Sequence, residues 1–185
     1  IPNVANDPVV SSLVSVGNLT INSGAKLTLN DNLLVCGNWI GGASSAATML
    51  GNGKVILGGA LNQSISNTTL FNTIQLDNTA GAEITSGNTQ INTALELKQG
   101  NLKVSNANYL TFLSTSPTHC AVLDNFSTGF GGTFLNGASP SVCRAQRYYG
   151  GAPVAFNQHY MGIPMNGIPL TQCASLASAV NEVFV

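Results

Sequence analysis

Short runs recur between residues 9 and 114, and Asn and Gly separate them; most of the runs alternate apolar, polar and apolar residues. The runs lie at 19–21, 27–29, 33–35, 55–57, 70–71, 74–76, 82–84, 89–91, 95–97, 102–104 and 109–112. This period of two predicts strands that each bury one face. Strands this short are unusual in a sandwich, and they favour a coil of parallel strands in which each turn packs on the next.

Pairs of Gly and Asn mark the corners of the predicted coil. The pairs, which fall between strands where a positive φ would be needed, are Gly17-Asn18, Asn52-Gly53, Gly87-Asn88 and Gly100-Asn101. An Asn amide at a corner can bond the matching corner of the neighbouring turn. At about 20–25 residues per turn, this region gives about four or five turns. The segment closest to a helical pattern is 43–49, and the two glycines before it indicate a loop.

The amino-acid composition of the sequence changes near residue 115. Five of the seven prolines lie beyond this point, together with two Gly-rich stretches and a concentration of aromatic residues. We therefore predict an all-β fold: a right-handed parallel β-solenoid with an N-terminal arm over 1–114, and a small β cap over 115–185. Within the cap, 175–179 could form one helical turn and 183–185 a last strand.

The four cysteines indicate disulfide chemistry in the cap. They are widely spaced, form no CxxC pair and match no zinc signature, and three of them lie in the cap range 115–185. We expect Cys120 and Cys143 to be bonded, which would close a loop of about 24 residues and stabilise the chain by about 3 kcal/mol. Cys36 is expected either to be buried as a small hydrophobic residue or to bond Cys173 if the tail folds back.

The small number of charged residues in the chain bears on its expected partners and cellular compartment. Charged residues make up 7% of the chain, and the formal net charge is −1, so no basic surface for nucleic acid is expected. The apolar runs are too short to span a membrane as a helix. Neutral polar residues then have to form the surface, which suits an extracellular protein with disulfides. The first residue is Ile1, which we interpret as the start of a processed or excised chain.

The repeated turns also resemble a known class of surface protein. The stretch 17–29, with the letters GNLTINSGAKLTL, is similar to the Asn/Thr/Gly-rich solenoid turns of adhesin-like surface proteins from Bacteroidetes-type bacteria. The stretches 33–39, 51–57 and 95–104 share the likeness, as does RYYGG at 147–151, followed by Gly162-Ile163-Pro164. The resemblance covers most of residues 13–170. It implies a β-solenoid, type IX secretion to the cell surface and no catalytic residues; the four cysteines depart from its usual turn.

The inventory of reactive residues predicts no enzyme, no cofactor and no metal. Carbohydrate-cleaving enzymes need carboxylates that converge on one site. The acids are spread along the chain, at Asp7, Asp31, Asp77, Glu83, Glu96, Asp124 and Glu182. Glu83 and Glu96 occupy polar positions of their triplets and should point to solvent. His119 and His159 could join the cysteines in a nucleophilic or metal site, but we prefer a disulfide and two surface imidazoles.

Two binding functions remain as alternatives. Arg144, Arg147, Tyr148 and Tyr149 lie close together in sequence, and such residues can stack on a sugar and hydrogen-bond it. A glycan-binding module is therefore our alternative, with a polysaccharide-active enzyme as a weaker one. Threonines in triplets at 19–21, 27–29 and 110–112 suggest an ice-binding array, but the intervening turns carry Ile, Gln, Glu or Lys instead.

Our leading interpretation is a non-catalytic structural or adhesive module of a filament or of a large multi-repeat adhesin. The end of a solenoid exposes open backbone groups and a section of the core, so it has to be capped or stacked on a neighbour. The residues predicted to serve assembly are Val10, Leu13, Val14, Val183, Phe184 and Val185. The expected partners are further copies or neighbouring repeats, and surface glycans in the alternative.

Overall fold

The computed structural model describes residues 1–42, 47–105, 108–113, 121–124, 128–136 and 142–145, and residues 47–50, 135–136 and 142–145 by their backbone only. These ranges form strands and turns, and none of the residues in them is helical. Every ladder between the strands is parallel. The predictions of an all-β fold and of a parallel β-solenoid of about five turns are confirmed.

The strands follow one another in rungs. The first rung comprises β1 (Val9–Val10), β2 (Val14–Val16) and β3 (Leu19–Thr20). The second comprises β4 (Lys26–Leu29), β5 (Leu33–Val35) and β6 (Trp39–Ile40), and the third β7 (Ala47–Leu50), β8 (Val55–Leu57) and β9 (Gln63–Ser66). The fourth comprises β10 (Thr69–Asp77) and β11 (Ala82–Ile84), and the fifth β12 (Asn88–Gln99) and β13 (Asn101–Val104). The strands β14 (Tyr109–Phe112), β15 (Val122–Asp124), β16 (Thr133–Asn136) and β17 (Val142–Ala145) continue the stack.

Each rung crosses three faces. The first face carries β1, β4, β7, β14 and β17, the second carries β2, β5, β8 and β15, and the long strands β10 and β12 join the two into an 11-stranded sheet. The third face is a 6-stranded sheet of β3, β6, β9, β11, β13 and β16. Register sets the length of a turn: Val9 pairs with Thr28, 19 residues later, and Thr69 with Thr89, 20 residues later. The connections lengthen near the end, where Tyr109 pairs with Val142.

Apolar residues of successive rungs lie in columns that fill the core. One column of the second face consists of Leu33, Val55, Ile74, Leu95 and Leu123, each at most 3% exposed. Glu83 and Glu96 lie between apolar residues of their strands and point outward, as predicted, although both are half-buried. The alternation in the sequence therefore reports the two sides of each strand.

Asparagines bridge the corners of adjacent rungs, as predicted. The amide oxygen of Asn18 accepts a hydrogen bond from the backbone N–H of Asn38 at 2.7 Å, and that of Asn38 accepts one from Ser64 at 2.9 Å. The glycine prediction is correct only in part. Gly87 and Gly100 have positive φ, whereas Gly17 and Gly53 do not. Gly53 is needed for a different reason, because a Cβ there would lie 2.1 Å from the carbonyl oxygen of Asp31.

Two neighbouring threonines are buried in the core, and only one of their hydroxyl groups is hydrogen-bonded. Thr69 and Thr89 are paired on adjacent rungs of the first face, and both are at most 1% exposed. The Thr69 hydroxyl accepts a hydrogen bond from Nε1 of Trp39 at 3.1 Å. The Thr89 hydroxyl has no hydrogen-bond partner within the described ranges. A buried hydroxyl without a partner costs about 1–3 kcal/mol, so these two threonines should contribute with opposite sign.

We therefore expect Thr89→Val to stabilise the protein and Thr69→Val to destabilise it. Valine keeps the branched shape, so the first change removes only the unsatisfied hydroxyl, whereas the second leaves the indole N–H of Trp39 unpaired. Each effect should be about 1–2 kcal/mol, or about 2–8 °C in Tm for a chain of this size. Thermal unfolding followed by circular dichroism measures both. Equal shifts of the same sign would contradict this assignment.

Three strands of the predicted cap extend the stack. β15 pairs with β12, β16 with β13 and β17 with β14, all in parallel. Parallel stacking therefore continues past residue 114, into the range assigned to the cap. The domain boundary at 114 stays a prediction, as do the helical turn at 175–179 and the strand at 183–185, which lie outside the described residues.

Candidate assembly site at the first rung

The first rung forms one end of the core. Val10, Val14, Val16 and Leu19 are in register with Leu29, Leu33, Val35 and Trp39, which are all at most 2% exposed. The first-rung residues therefore stand at the ends of the core columns. Val10, Val16 and Leu19 are partly buried against the core, and Val14 is 37% exposed. At the first rung, the hydrophobic core is therefore in contact with solvent.

Exposed apolar side chains concentrate around this rung. Among the described residues, six large hydrophobic side chains are exposed, and four of them lie within the first 14 positions. These four are Val4 (48% exposed), Val9 (55%), Leu13 (65%) and Val14 (37%), and we call them the N-terminal patch. The other two, Leu61 and Val122, lie elsewhere in the stack. Concentrated apolar exposure of this kind is typical of a contact surface.

The backbone at this end carries unpaired hydrogen-bonding groups. In β2, the N–H of Val14 donates to the carbonyl of Asn32 at 3.3 Å, and the carbonyl of Val16 accepts from Cys36 at 2.8 Å. Because alternate residues of a parallel strand bond in opposite directions, the N–H and C=O of Ser15 face away from β5. No described residue bonds either group. The second face of the first rung therefore ends in an open strand edge.

The third face of the same rung is covered, in contrast to the second. Ile1 donates its amino N–H to the carbonyl of Thr20, and its own carbonyl accepts from the N–H of Asn22 at 2.9 Å. These two bonds place Ile1 opposite Ile21 in the pattern of a parallel ladder. The chain then crosses to the first face, where the carbonyl of Pro8 accepts from Thr28 at 3.0 Å. Residues 1–8 thus protect one side of the end and leave β2 uncovered.

The residues predicted for assembly separate into three groups. Leu13 and Val14 are exposed at the open end, where the prediction requires them. Val10 packs partly against the core and supports the rung. Val183, Phe184 and Val185 lie outside the described residues. Sequence reasoning missed Ser15, because only the direction of strand pairing shows that its backbone groups are unpaired.

The structure corrects the prediction for Cys36. Its side chain is exposed, so it is not buried as a small hydrophobic residue, and no described residue forms a disulfide with it. Cys36 immediately follows β5 on the outer side of the second face, and its sulfur lies 3.6 Å from the hydroxyl of Ser15. The backbone of Cys143 is in register with Leu110. Cys120 and Cys173 lie outside the described residues, and the bond between Cys120 and Cys143 stays a prediction.

Of the residues predicted to contact a glycan, the structure describes only the backbone of Arg144, near the other end of the described stack. The backbone of Arg144 belongs to β17 and is in register with Thr111, which is 3% exposed although its neighbours Leu110 and Phe112 face the core. Arg147, Tyr148 and Tyr149 lie outside the described residues. Glycan contact at these positions therefore stays a prediction.

Three ion pairs connect different rungs. Lys54 lies 2.6 Å from Glu96 across two rungs, Lys98 lies 2.8 Å from Asp77, and Lys103 lies 3.0 Å from Glu83. Glu83 belongs to the third face and Glu96 to the second, so the two carboxylates do not converge. Within the ranges that the structure describes, no three His, Cys, Asp or Glu side chains could hold a metal ion together. Asp77, Glu83 and Glu96 therefore each connect two rungs through an ion pair.

Two of these carboxyl groups have lowered pKa values. Burial raises the pKa of Asp77, but hydrogen bonds from Lys98 and Gln99 and the charge of Lys98 outweigh it, so the pKa lies below its ordinary value. Hydrogen bonds from Ser105 and Lys103 lower the pKa of Glu83 in the same way. A lowered pKa means that the ionised carboxylate is favoured in the folded state. Both groups are therefore ionised partners in contacts between rungs.

In the described part of the chain, no helix is long and apolar enough to cross a membrane.

Comparison with known proteins adds no relative from which a function could be transferred. No protein-family model matches the sequence, and neither the curated proteins nor the solved structures contain a match to it.

Proposed function

We propose that this chain is a non-catalytic structural or adhesive module of a secreted or cell-surface protein, and that it works as part of a filament or of a large multi-repeat adhesin. The observation that carries the proposal is the first rung, where the core section, the N-terminal patch and an open strand edge coincide. A free edge and an exposed core section both favour stacking on a further strand or rung.

The remaining surface supports this proposal. The chain carries 13 charged residues among 185, and Lys54, Lys98 and Lys103 are engaged in ion pairs between rungs. Little like-charge repulsion therefore opposes the packing of copies against one another. We further propose a right-handed coil, because parallel crossover connections are right-handed in nearly all proteins, and a disulfide-bearing cap at the C-terminal end.

Leu13→Glu should weaken self-association of the full chain by about tenfold or more. Burial of a leucine side chain contributes about 1.5–3 kcal/mol, and a carboxylate in its place would have to be desolvated. Leu61→Glu is the matched control, because Leu61 is 81% exposed and lies in a loop before β9, away from the first rung. Sedimentation velocity over a range of concentrations measures the association.

The two variants separate a specific end contact from general stickiness. We expect Leu61→Glu to associate like the wild type and both variants to keep the β spectrum. Equal weakening by the two changes would point to nonspecific apolar contact. A wild-type chain that stays monomeric at high concentration would contradict the proposed function.

A further inference from the structure

The strand β2 offers a complete set of groups for the addition of one more strand. β2 is three residues long, and its first and last residues, Val14 and Val16, stand at the ends of core columns. The backbone N–H and C=O of Ser15 between them have no partner among the described residues. In a parallel ladder, a strand added beside β2 would form two hydrogen bonds with Ser15. The N–H of Ser15 would donate to the carbonyl of the residue that precedes its partner, and the N–H of the residue that follows its partner would donate to the C=O of Ser15.

The same geometry sets the chemistry of the added segment. Its residues opposite Val14 and Val16 would extend two core columns of the second face and have to be apolar. The residue between them would point outward, as Ser15, Leu34 and Ile56 do at the matching positions of successive rungs. The site therefore fits an extended apolar–x–apolar strand. Covering it would bury Val14 and part of Leu13, which are 37% and 65% exposed in the chain itself.

We propose that the free edge of β2 accepts an extended strand from a second copy of this chain, and that residues 183–185 provide it. The letters Val-Phe-Val at these positions have the same spacing as Val-Ser-Val in β2. Val183 and Val185 would then stand over Val14 and Val16, with Phe184 opposite Ser15. Leu13 and Val14 are exposed, and no described residue of the same copy pairs with this edge, which favours a strand donated between copies. This proposal rests on the proposed function and names its contact.

Ser15→Pro tests the edge without disturbing the existing ladder. The N–H of Ser15 points away from β5, so proline removes no bond to β5, but it deletes one donor and places its ring at the edge. Ser15→Ala is the control, because it keeps the N–H. We expect Ser15→Pro to lower self-association about tenfold or more and Ser15→Ala to leave it unchanged. Circular dichroism has to show the same β spectrum and Tm for both variants.

A peptide with the sequence of residues 177–185 tests the donor. We expect it to bind the full chain, to inhibit assembly and to protect the Ser15 amide from hydrogen exchange, while a peptide with Val183 and Val185 replaced by Asp does none of these. A truncated chain that lacks residues 180–185 should keep its β spectrum and no longer assemble, but it should still bind the peptide. Ser15→Pro should bind the peptide at least about tenfold more weakly.

The outcomes distinguish the two proposals. If Leu13→Glu prevents assembly but Ser15→Pro and the truncated chain assemble like the wild type, the proposed function stands and strand addition at β2 is wrong. If the truncated chain loses assembly but the peptide binds Ser15→Pro as well as the wild type, the donor site is not β2. A monomeric wild type with a protected Ser15 amide would place the strand within one copy and overturn donation between copies.

Discussion

Gly100→Ala should destabilise the protein by about 3–5 kcal/mol, enough to unfold much of the stack under mild heating. Gly100 lies at the corner between β12 and β13 with a φ of 77°, a conformation that is costly for any residue with a Cβ. The added Cβ would also lie 1.9 Å from the carbonyl oxygen of Asn78 on the preceding rung. On the following rung, Thr133 donates to the carbonyl of Gly100 at 2.9 Å. The corner is therefore held between two rungs and cannot move away easily.

Two other glycines separate the steric contribution from the conformational one. Gly129 has a φ of 85° but no atom within 4 Å of an added Cβ, so Gly129→Ala should cost only about 1–2 kcal/mol. Gly17 has neither a positive φ nor a close neighbour, and Gly17→Ala should stay within about 1 kcal/mol of the wild type. Urea unfolding of the three variants measures the order. A Gly100→Ala variant no less stable than Gly129→Ala would show that the corner can shift to accept the methyl group.

Several strands could be predicted from a short apolar or alternating run between turn residues. The run at 33–35 became β5, 55–57 became β8 and 82–84 became β11, with the same bounds. The predicted runs at 70–71 and 74–76 proved to be one strand, β10, which turns from the first face to the second with a register shift between Phe71 and Thr73. A local pattern does not show whether the backbone continues through a corner.

Strand β9 was missed because a polar residue fills a core position. Gln63 is 2% exposed, yet its side chain occupies the interior side of the strand. Its amide nitrogen donates to the carbonyls of Val35 and Gly37, and its amide oxygen accepts from Gly59 at 2.9 Å and from Asn78 at 2.9 Å. These bonds compensate the burial of the amide. All of them come from residues of other turns or loops, so the sequence alone did not indicate them.

The sequence predicted which apolar residues form the candidate site, but not which backbone groups of the first rung are unpaired. An apolar N-terminal arm indicated contact, and Leu13 and Val14 are exposed as that requires. The arm itself proved to be the first rung, since β1 pairs with β4 and β2 with β5. Which backbone groups remain unpaired depends on these pairings. The expected burial of Cys36 was wrong for a related reason: the residue follows a strand at a position that faces outward.

Trp39→Ala should destabilise the protein by about 3–5 kcal/mol, or about 6–20 °C in Tm. Trp39 is fully buried, its ring centroid lies 4.8 Å from that of Phe71, and its indole N–H donates to Thr69. Alanine would leave a cavity at the centre of the second rung and remove contacts with the third and fourth. Because each rung is stabilised mainly by its neighbours, the loss should also loosen the first rung and weaken assembly.

Trp39→Phe is the matched variant, since it keeps an aromatic ring against Phe71 and removes only the indole bond and part of the volume. It should cost about 1–3 kcal/mol, less than alanine does. Trp39 is the single tryptophan of the chain, so circular dichroism has to follow unfolding of these variants, while fluorescence of the wild type reports on the same core position. If the alanine variant unfolds at the Tm of the wild type, then Trp39 does not link the rungs, and the core columns alone hold the stack together.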